Sequence, residues 1–220
     1  MRLVPRPALI LVTDSARLRG RALEDVVREA VLGGADVVQL REKAMPHEAL
    51  IALGAWLRAA IAGRALFFVN GDIDAAIALN ADGVHLPEDG PAIADVRSRV
   101  GGRALISRAV HSVEAALQAE RDGADIVQLG TAFATASKPG RAPLGIDGVR
   151  AVCAAVRVPV IAIGGITAAN AGDVLRAGAV GVAVIGTIFD AGDPSAAAAE
   201  LRAAIGAASS SEGERHAAHG

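Results

Sequence analysis

The sequence predicts an α/β chain folded as an eightfold (β/α)8 TIM barrel, and three observations carry that prediction. Eight short apolar runs recur along 220 residues, Ala-rich segments with helical spacing separate them, and one kind of helix-to-strand junction is repeated. The hydrophobic fraction is 52% but the aromatic fraction only 2%, so the core has to be built from Ala, Val, Ile and Leu. Strands covered on both faces read as continuous runs of such residues.

The runs occupy residues 8–13 (ALILVT), 37–41 (VVQLR), 66–70 (LFFVN), 83–86 (GVHL), 104–110, 126–130 (IVQLG), 159–164 (PVIAIG) and 181–186 (GVAVIG). Amphipathic segments between them include 23–32, 47–61, 112–121 and 168–177, where apolar residues return every three to four positions. The repeated junctions are Gly34-Ala35-Asp36-Val37, Ala81-Asp82-Gly83-Val84, Gly123-Ala124-Asp125-Ile126 and Gly178-Ala179-Val180-Gly181-Val182. Glycine there ends a helix and lets the chain turn into the sheet. Eight such units fit the lower end of the roughly 200 to 400 residues that the barrel spans. An open doubly wound sheet would want a Gly-rich loop after the first strand, which instead ends Val12-Thr13-Asp14-Ser15. Residues 1–207 are expected to form this one domain, and 208–220 (ASSSEGERHAAHG), polar and without period, a disordered tail.

Composition narrows the function classes. A net charge of -2 and the absence of Tyr argue against nucleic-acid binding, which needs basic excess and stacking aromatics. The lone Cys153 excludes an intramolecular disulfide framework and a cysteine-rich metal site. No apolar run approaches the roughly 20 residues of a membrane helix, and the apolar stretch after Arg2 and Arg6 runs into Thr13-Asp14 without a cleavage site. The expectation is a soluble cytoplasmic protein, and its Ala-rich helices are compatible with a homo-oligomer.

In such barrels the active site lies at the C-terminal ends of the strands. Strand seven ends Gly164-Gly165 immediately before a helix, and Ile185-Gly186 opens the neighbouring loop after strand eight. Backbone N–H groups that glycine leaves bare, together with helix dipoles, make an anion site, here read as one for a monophosphate. Arg41, Lys43 and Lys138 sit at or past strand ends and would converge on the same mouth. Arg41 shares strand parity with Gln39, and a charge in a strand buried on both sides needs a partner, either a carboxylate such as Glu42 or an anionic ligand. Of five histidines, His111 follows a strand directly and precedes the N-cap candidate Ser112, which makes it the best-placed acid/base group. His85 lies within a strand, and His47 starts a helix. Asp14, Asp72, Glu88 and Asp89 follow strands without forming a ligand cluster in sequence.

Several motifs stand together in order: Val38-Gln39-Leu40-Arg41-Glu42-Lys43, Gly83-Val84-His85-Leu86, the His111 segment, Thr135-Ala136-Ser137-Lys138, and Ile161-Ala162-Ile163-Gly164-Gly165-Ile166-Thr167. From about residue 8 to about residue 194 the chain resembles the thiamine phosphate synthase and TenI superfamily. The resemblance implies a thiazole phosphate held at strands seven and eight. It also implies that Gln39, Arg41, Lys43, Asn70 and Lys138 bind substrate around a pyrimidine diphosphate. In the synthase branch Mg2+ and cationic groups stabilise departing pyrophosphate. Here Gly71 replaces a Mg2+-ligating Asp, Pro87-Glu88-Asp89-Gly90 replaces a Gly-Gln-x-Asp stretch, and Ala109 replaces a serine. Asn70-Gly71, Val110-His111-Ser112 and residues 133–138 resemble the TenI branch instead. The leading expectation is therefore a TenI-type thiazole tautomerase: His111 moves a proton, Gly164, Gly165, Ile185 and Gly186 grip the phosphate, and no cofactor is needed. The alternative is thiamine phosphate synthase with Mg2+, for which Asp72 and Asp89 are the candidate carboxylates. A third expectation is a barrel that binds a thiamine precursor without turnover.

Overall fold

The computed structural model describes residues 4–135, 140 and 142–217. Its elements alternate as predicted. They are β1 (Ala8–Val12), a 3-10 turn (Ser15–Arg17), α1 (Leu23–Leu32), β2 (Val37–Leu40), α2 (His47–Ile61), β3 (Leu66–Asn70), α3 (Ile73–Ala78), β4 (Gly83–Leu86), α4 (Ile93–Val100), β5 (Leu105–Val110), α5 (Val113–Arg121), β6 (Ile126–Gly130), α6 (Gly145–Ala155), β7 (Val160–Ile163), α7 (Ala168–Arg176), β8 (Gly181–Val184), α8 (Gly186–Phe189) and α9 (Pro194–Ala217). The strands are parallel in sequence order, and β8 pairs with β1, so the sheet closes into the (β/α)8 barrel.

Strand periodicity divides the core in two. Leu9, Leu11, Val38, Leu40, Phe67, Val69, Val84 and Leu86 point outward against the helices. Ile10, Val12, Val37, Leu66, Phe68, Leu105, Ile126, Ile161 and Ala183 point into the lumen and fill it. Gly83 is forced by this packing, because a Cβ there would stand 2.5 Å from Cζ of Phe68. One large ring opposite a missing side chain plugs the lower lumen of a chain that has few aromatics to spend on it.

The repeated junction has a physical role. Asp36 donates its N–H to the Leu9 carbonyl at 2.8 Å, while its Oδ2 accepts the Leu9 N–H at 2.8 Å. Asp82 clamps Phe67 in the same reciprocal way, and Asp125 clamps Ile106. Each carboxylate also meets an arginine: Arg202 on Asp36 at 2.8 Å, Arg58 on Asp82 at 3.8 Å, and Arg97 on Asp125. Burial raises the Asp36 pKa above its ordinary value, against the Leu9 N–H and Arg202, which both favour the charge. The fourth junction carries Val180, whose side chain cannot accept, and keeps only the backbone bond to Val160.

The segment expected as an irregular tail differs. Helix α9 continues to Ala217, and Ala198, Leu201, Ile205 and Ala208 recur at helical spacing as its buried face, so the boundary at 207 is displaced. Ala, Glu and Arg favour helix whatever their polarity, and the apolar stripe runs past the point where composition changes. Among the described residues no helix is long and apolar enough to cross a membrane.

Asp36→Ala leaves the Leu9 N–H and Nη1 of Arg202 without their acceptor, while Nη2 of Arg202 keeps the Pro7 carbonyl. A loss of about 1–3 kcal/mol of unfolding free energy is expected, read by urea denaturation. An unchanged midpoint would rule out the clamp as a determinant of stability.

Candidate active site

Inward parity brings the polar residues of several strands to one place. Gln39, Asn70, His85 and Gln128 ring the upper lumen, above the aliphatic floor of Val12, Ile163 and Ala183, and all line a cavity of 380 Å3 at the C-terminal mouth. Gln39, His85 and Gln128 are buried. The Gln39 Nε2 donates to Asn70 Oδ1 at 3.4 Å, and His85 Nδ1 meets Ser107 Oγ at 3.0 Å. Buried amides and an imidazole facing a cavity are arranged to meet a polar ligand rather than to fill a core.

Arg41 lines the same cavity. Its N–H donates to Thr13 Oγ1 at 2.9 Å, which fixes the end of β2 against the end of β1. Glu42, one of the partners considered for Arg41, instead accepts the Ser15 N–H through Oε2 at 3.1 Å, and its Oε1 is buried without a hydrogen-bond partner. Among the described residues no carboxylate pairs with Arg41. The guanidinium therefore faces the cavity as a cation that an anionic ligand can satisfy.

The opposite wall is made of backbone. Gly164 and Gly165 follow β7 at φ +106° and +62°. A Cβ on Gly164 would stand 2.8 Å from Thr131 Cγ2, and one on Gly165 would stand 2.4 Å from the Ala134 carbonyl oxygen. Only glycine fits between this turn and the loop after β6. Thr167 and Asn170 close a capping box on α7, and Asn170 Nδ2 donates to the Gly165 carbonyl at 3.0 Å. Ile185, Gly186 and Thr187, where α8 begins, line the cavity beside Gly164, Gly165 and Thr167. The N-termini of α7 and α8 open side by side, an arrangement suited to a phosphate.

His111 lines the cavity, and its Nδ1 meets Glu88 Oε2 at 2.7 Å. The loop that carries Glu88 is held by Arg108, buried on the outer face of β5, which donates to the carbonyls of Pro87 at 2.7 Å and Pro91 at 2.5 Å. Burial lowers the Arg108 pKa from its ordinary value. Glu88, weighed in sequence as a metal ligand, here orients an imidazole.

A second cavity of 430 Å3 adjoins the first across Asn70 and is lined by Glu42, Lys43, Met45, Leu50 and Asp72. Asp72 caps α3 through the Ala75 N–H at 2.8 Å, and its Oδ2 meets His47 Nδ1 at 2.6 Å. Asp89 lines neither cavity, and Lys138 lies outside the described residues. Among the described residues no three His, Cys, Asp or Glu side chains come together as a metal site, and Asp72 is engaged twice over. The donors present do not fit a preformed Mg2+ site at Asp72 and Asp89.

The sequence places Gln39, Arg41, Lys43, Asn70, His111, Gly164, Gly165, Ile185 and Gly186 on one mouth; all share one cavity except Lys43, which lines the adjoining one. Sequence reasoning missed Arg17 and Asp190, which line the first cavity from the loops after β1 and α8. No local motif marks either one, because barrel closure alone brings them together.

The chain matches a family model described as thiamine monophosphate synthase over residues 9–188. A thiamine-phosphate synthase of Methanoculleus marisnigri is 46% identical over 202 residues, covering 91% of this chain and 96% of that protein. One of Chloroflexus aurantiacus is 44% identical over 203 residues, covering 90% of this chain and 92% of that protein. A solved thiamine phosphate pyrophosphorylase from Pyrococcus furiosus superposes with a TM-score of 0.82 at 36% identity, covering 91% of this chain and 96% of that one. These relatives are transferases. The expectation of a TenI-type thiazole tautomerase, an isomerase, is overturned: it rested on Gly71, residues 87–90 and Ala109 and on TenI-like stretches at Asn70-Gly71, Val110-His111-Ser112 and residues 133–138, and identity to synthases over nine-tenths of the chain outweighs them.

Gly165→Ala drives a methyl into the Ala134 carbonyl. Calorimetry with inorganic phosphate should show affinity reduced about tenfold or more, one step of 1.4 kcal/mol; unchanged affinity would place the anion elsewhere. A second test concerns pH. The hydrogen bond to Asp72 raises the His47 pKa above 6.5. Partial burial pushes Asp72 up, but the Ala75 N–H and His47 outweigh it and hold the carboxyl below 3.8. The pair's contribution is present above 3.8, lost as pH falls through the lowered Asp72 value, and lost again as pH rises through the raised His47 value. The stability gap between wild type and His47→Gln should thus close on both sides of that window, as urea midpoints across pH would show.

Proposed function

The chain belongs to the thiamine monophosphate synthase family, and we propose that it joins a pyrimidine carried as its diphosphate to a thiazole carried as its monophosphate. The products are thiamine phosphate and pyrophosphate. One observation carries this reading above the rest: a single cavity has a backbone anion cradle on the β7 and β8 side and an unpaired-by-carboxylate Arg41 on the β2 side, with Lys43 in the adjoining cavity. Two anionic groups can therefore be held apart, with their ring systems meeting between them.

In this reaction the bond between the pyrimidine methylene carbon and the diphosphate oxygen breaks, and its electron pair leaves with pyrophosphate. The thiazole ring nitrogen then gives its lone pair to that carbon, forming the C–N bond of a thiazolium. Arg41 and Lys43 stabilise the negative charge that grows on the leaving group. Gln39, Asn70 and Gln128 offer donors and acceptors to the pyrimidine edge, and Gln39 is held to Asn70 for that purpose. The aliphatic walls at Val12, Ile163, Ala183 and Val184 keep water from the electron-poor methylene. No step here requires the proton transfer that the isomerase expectation gave to His111; with Glu88 holding it, His111 serves as a fixed polar wall of the mouth. The cytoplasm is the compartment this reading implies.

The test is incubation of the chain with hydroxymethylpyrimidine diphosphate and thiazole phosphate, with and without Mg2+, read by product mass. Thiamine phosphate and pyrophosphate in equal amounts are expected. No product under either condition overturns the reading, and binding of both substrates without turnover would establish a precursor-binding protein in its place. Arg41→Ala should lower kcat by on the order of a hundredfold, while the KM for thiazole phosphate stays within a few fold. An equal rise in that KM would move Arg41 to the other substrate.

A further inference from the structure

The glycine cradle after β7 and β8 supplies N–H groups but no full positive charge, and a phosphate monoester near neutral pH carries close to two negative ones. Among the described residues, a side-chain cation at that end comes from an unexpected element. Arg17, the last residue of the 3-10 turn after β1, lines the cavity together with Gly164, Gly165 and Gly186. Its Nη1 lies 3.2 Å from the point where a Cβ on Gly186 would stand. The same nitrogen pairs with Asp190 Oδ2 at 2.6 Å, and its Nε faces Asp14 Oδ2 at 3.4 Å.

Asp190 is a puzzle at a phosphate site. It lines the cavity with Oδ2 2.9 Å from that same Gly186 Cβ point, while its Oδ1 faces the exposed Arg19 at 3.7 Å, so the oxygen turned to the cradle repels the group the cradle is built to hold. A purely structural tie between the two loops does not need it. Arg21 already joins them by donating to the carbonyls of Phe189 and of Ala191, the latter at 2.9 Å.

We propose that Arg17 is the side-chain cation of the phosphate subsite and Asp190 its built-in competitor. A phosphorylated substrate draws the guanidinium from the carboxylate, and an unphosphorylated one cannot. A guanidinium fork can serve Asp14 and a phosphate oxygen together, and a dianion outcompetes a single carboxylate for it. Selectivity for the phosphorylated thiazole over its alcohol then comes from a repulsive element as well as an attractive one. The inference rests on the reading that the thiazole phosphate sits at the β7 and β8 loops.

The experiment compares Kd for thiazole phosphate and for the unphosphorylated thiazole alcohol in wild type, Arg17→Met, Arg17→Lys and Asp190→Asn by calorimetry. Arg17→Met should weaken the phosphate ligand at least about tenfold, with the alcohol within twofold. Arg17→Lys, which keeps the charge, should recover most of that loss. Asp190→Asn keeps an acceptor for Arg17 but removes the competing charge, so it should tighten the phosphate ligand and leave the alcohol unchanged. A tie of purely structural value makes both Arg17→Met and Asp190→Asn weaken binding, and that result, or equal effects on both ligands, overturns the proposal. Absence of any wild-type preference for the phosphate ligand would overturn the phosphate reading itself, and the proposal with it.

Discussion

The reciprocal clamp between an aspartate at a strand entrance and the first residues of the preceding strand is the constraint on which the rest depends. In a parallel barrel, a slip of one residue between neighbours exchanges lumen for surface along a whole strand. Asp36, Asp82 and Asp125 each hold both backbone groups of one residue across the pair, at the end of the barrel opposite the cavity. With registry set there, Gln39 and Arg41, Asn70, His85, Ala109 and His111, and Gln128 are carried up their strands to the same mouth.

Much of this was legible in the residues themselves. Strands buried on both faces leave little choice of residue, so β3 at 66–70 and β4 at 83–86 read directly as apolar runs, and α1 and α2 as amphipathic segments with their observed ends. The glycine turn after β7 was legible because both its backbone angles and its crowding exclude other residues. Contacts made by closure were not. Arg17 meets Asp190 across 173 positions and His111 meets Glu88 across 23, and neither pairing leaves a spacing that a linear pattern can display. The helix through residue 208 was missed for another reason: polarity was weighed where propensity and the buried stripe of Leu201, Ile205 and Ala208 decide.

The isomerase expectation turned on a few positions of one site. Gly71 and residues 87–90 stand where the resemblance expects carboxylates for Mg2+, and Ala109 stands where it expects a serine, so three positions of one site pointed to the isomerase against the rest of the chain. Here Glu88 is spent on His111 and Asp72 on His47, while Arg41 is left facing the cavity. A weak net charge of -2 over the whole chain hides this local arrangement, in which cations stand at the mouth and carboxylates are held by histidines and arginines.

The junction that lacks an aspartate leads into β8, so the β7–β8 pair, which bears the glycine cradle, is fastened by backbone bonds alone at its entrance. A ligand that binds only the folded chain adds RT ln(1 + [L]/Kd) to its stability. In the proposed reading, thiazole phosphate bridging the loops after β7 and β8 adds a tie to one of the seams that no aspartate clamps. That reading would couple the lifetime of the chain to the supply of this ligand, because proteolysis follows the population of opened barrels.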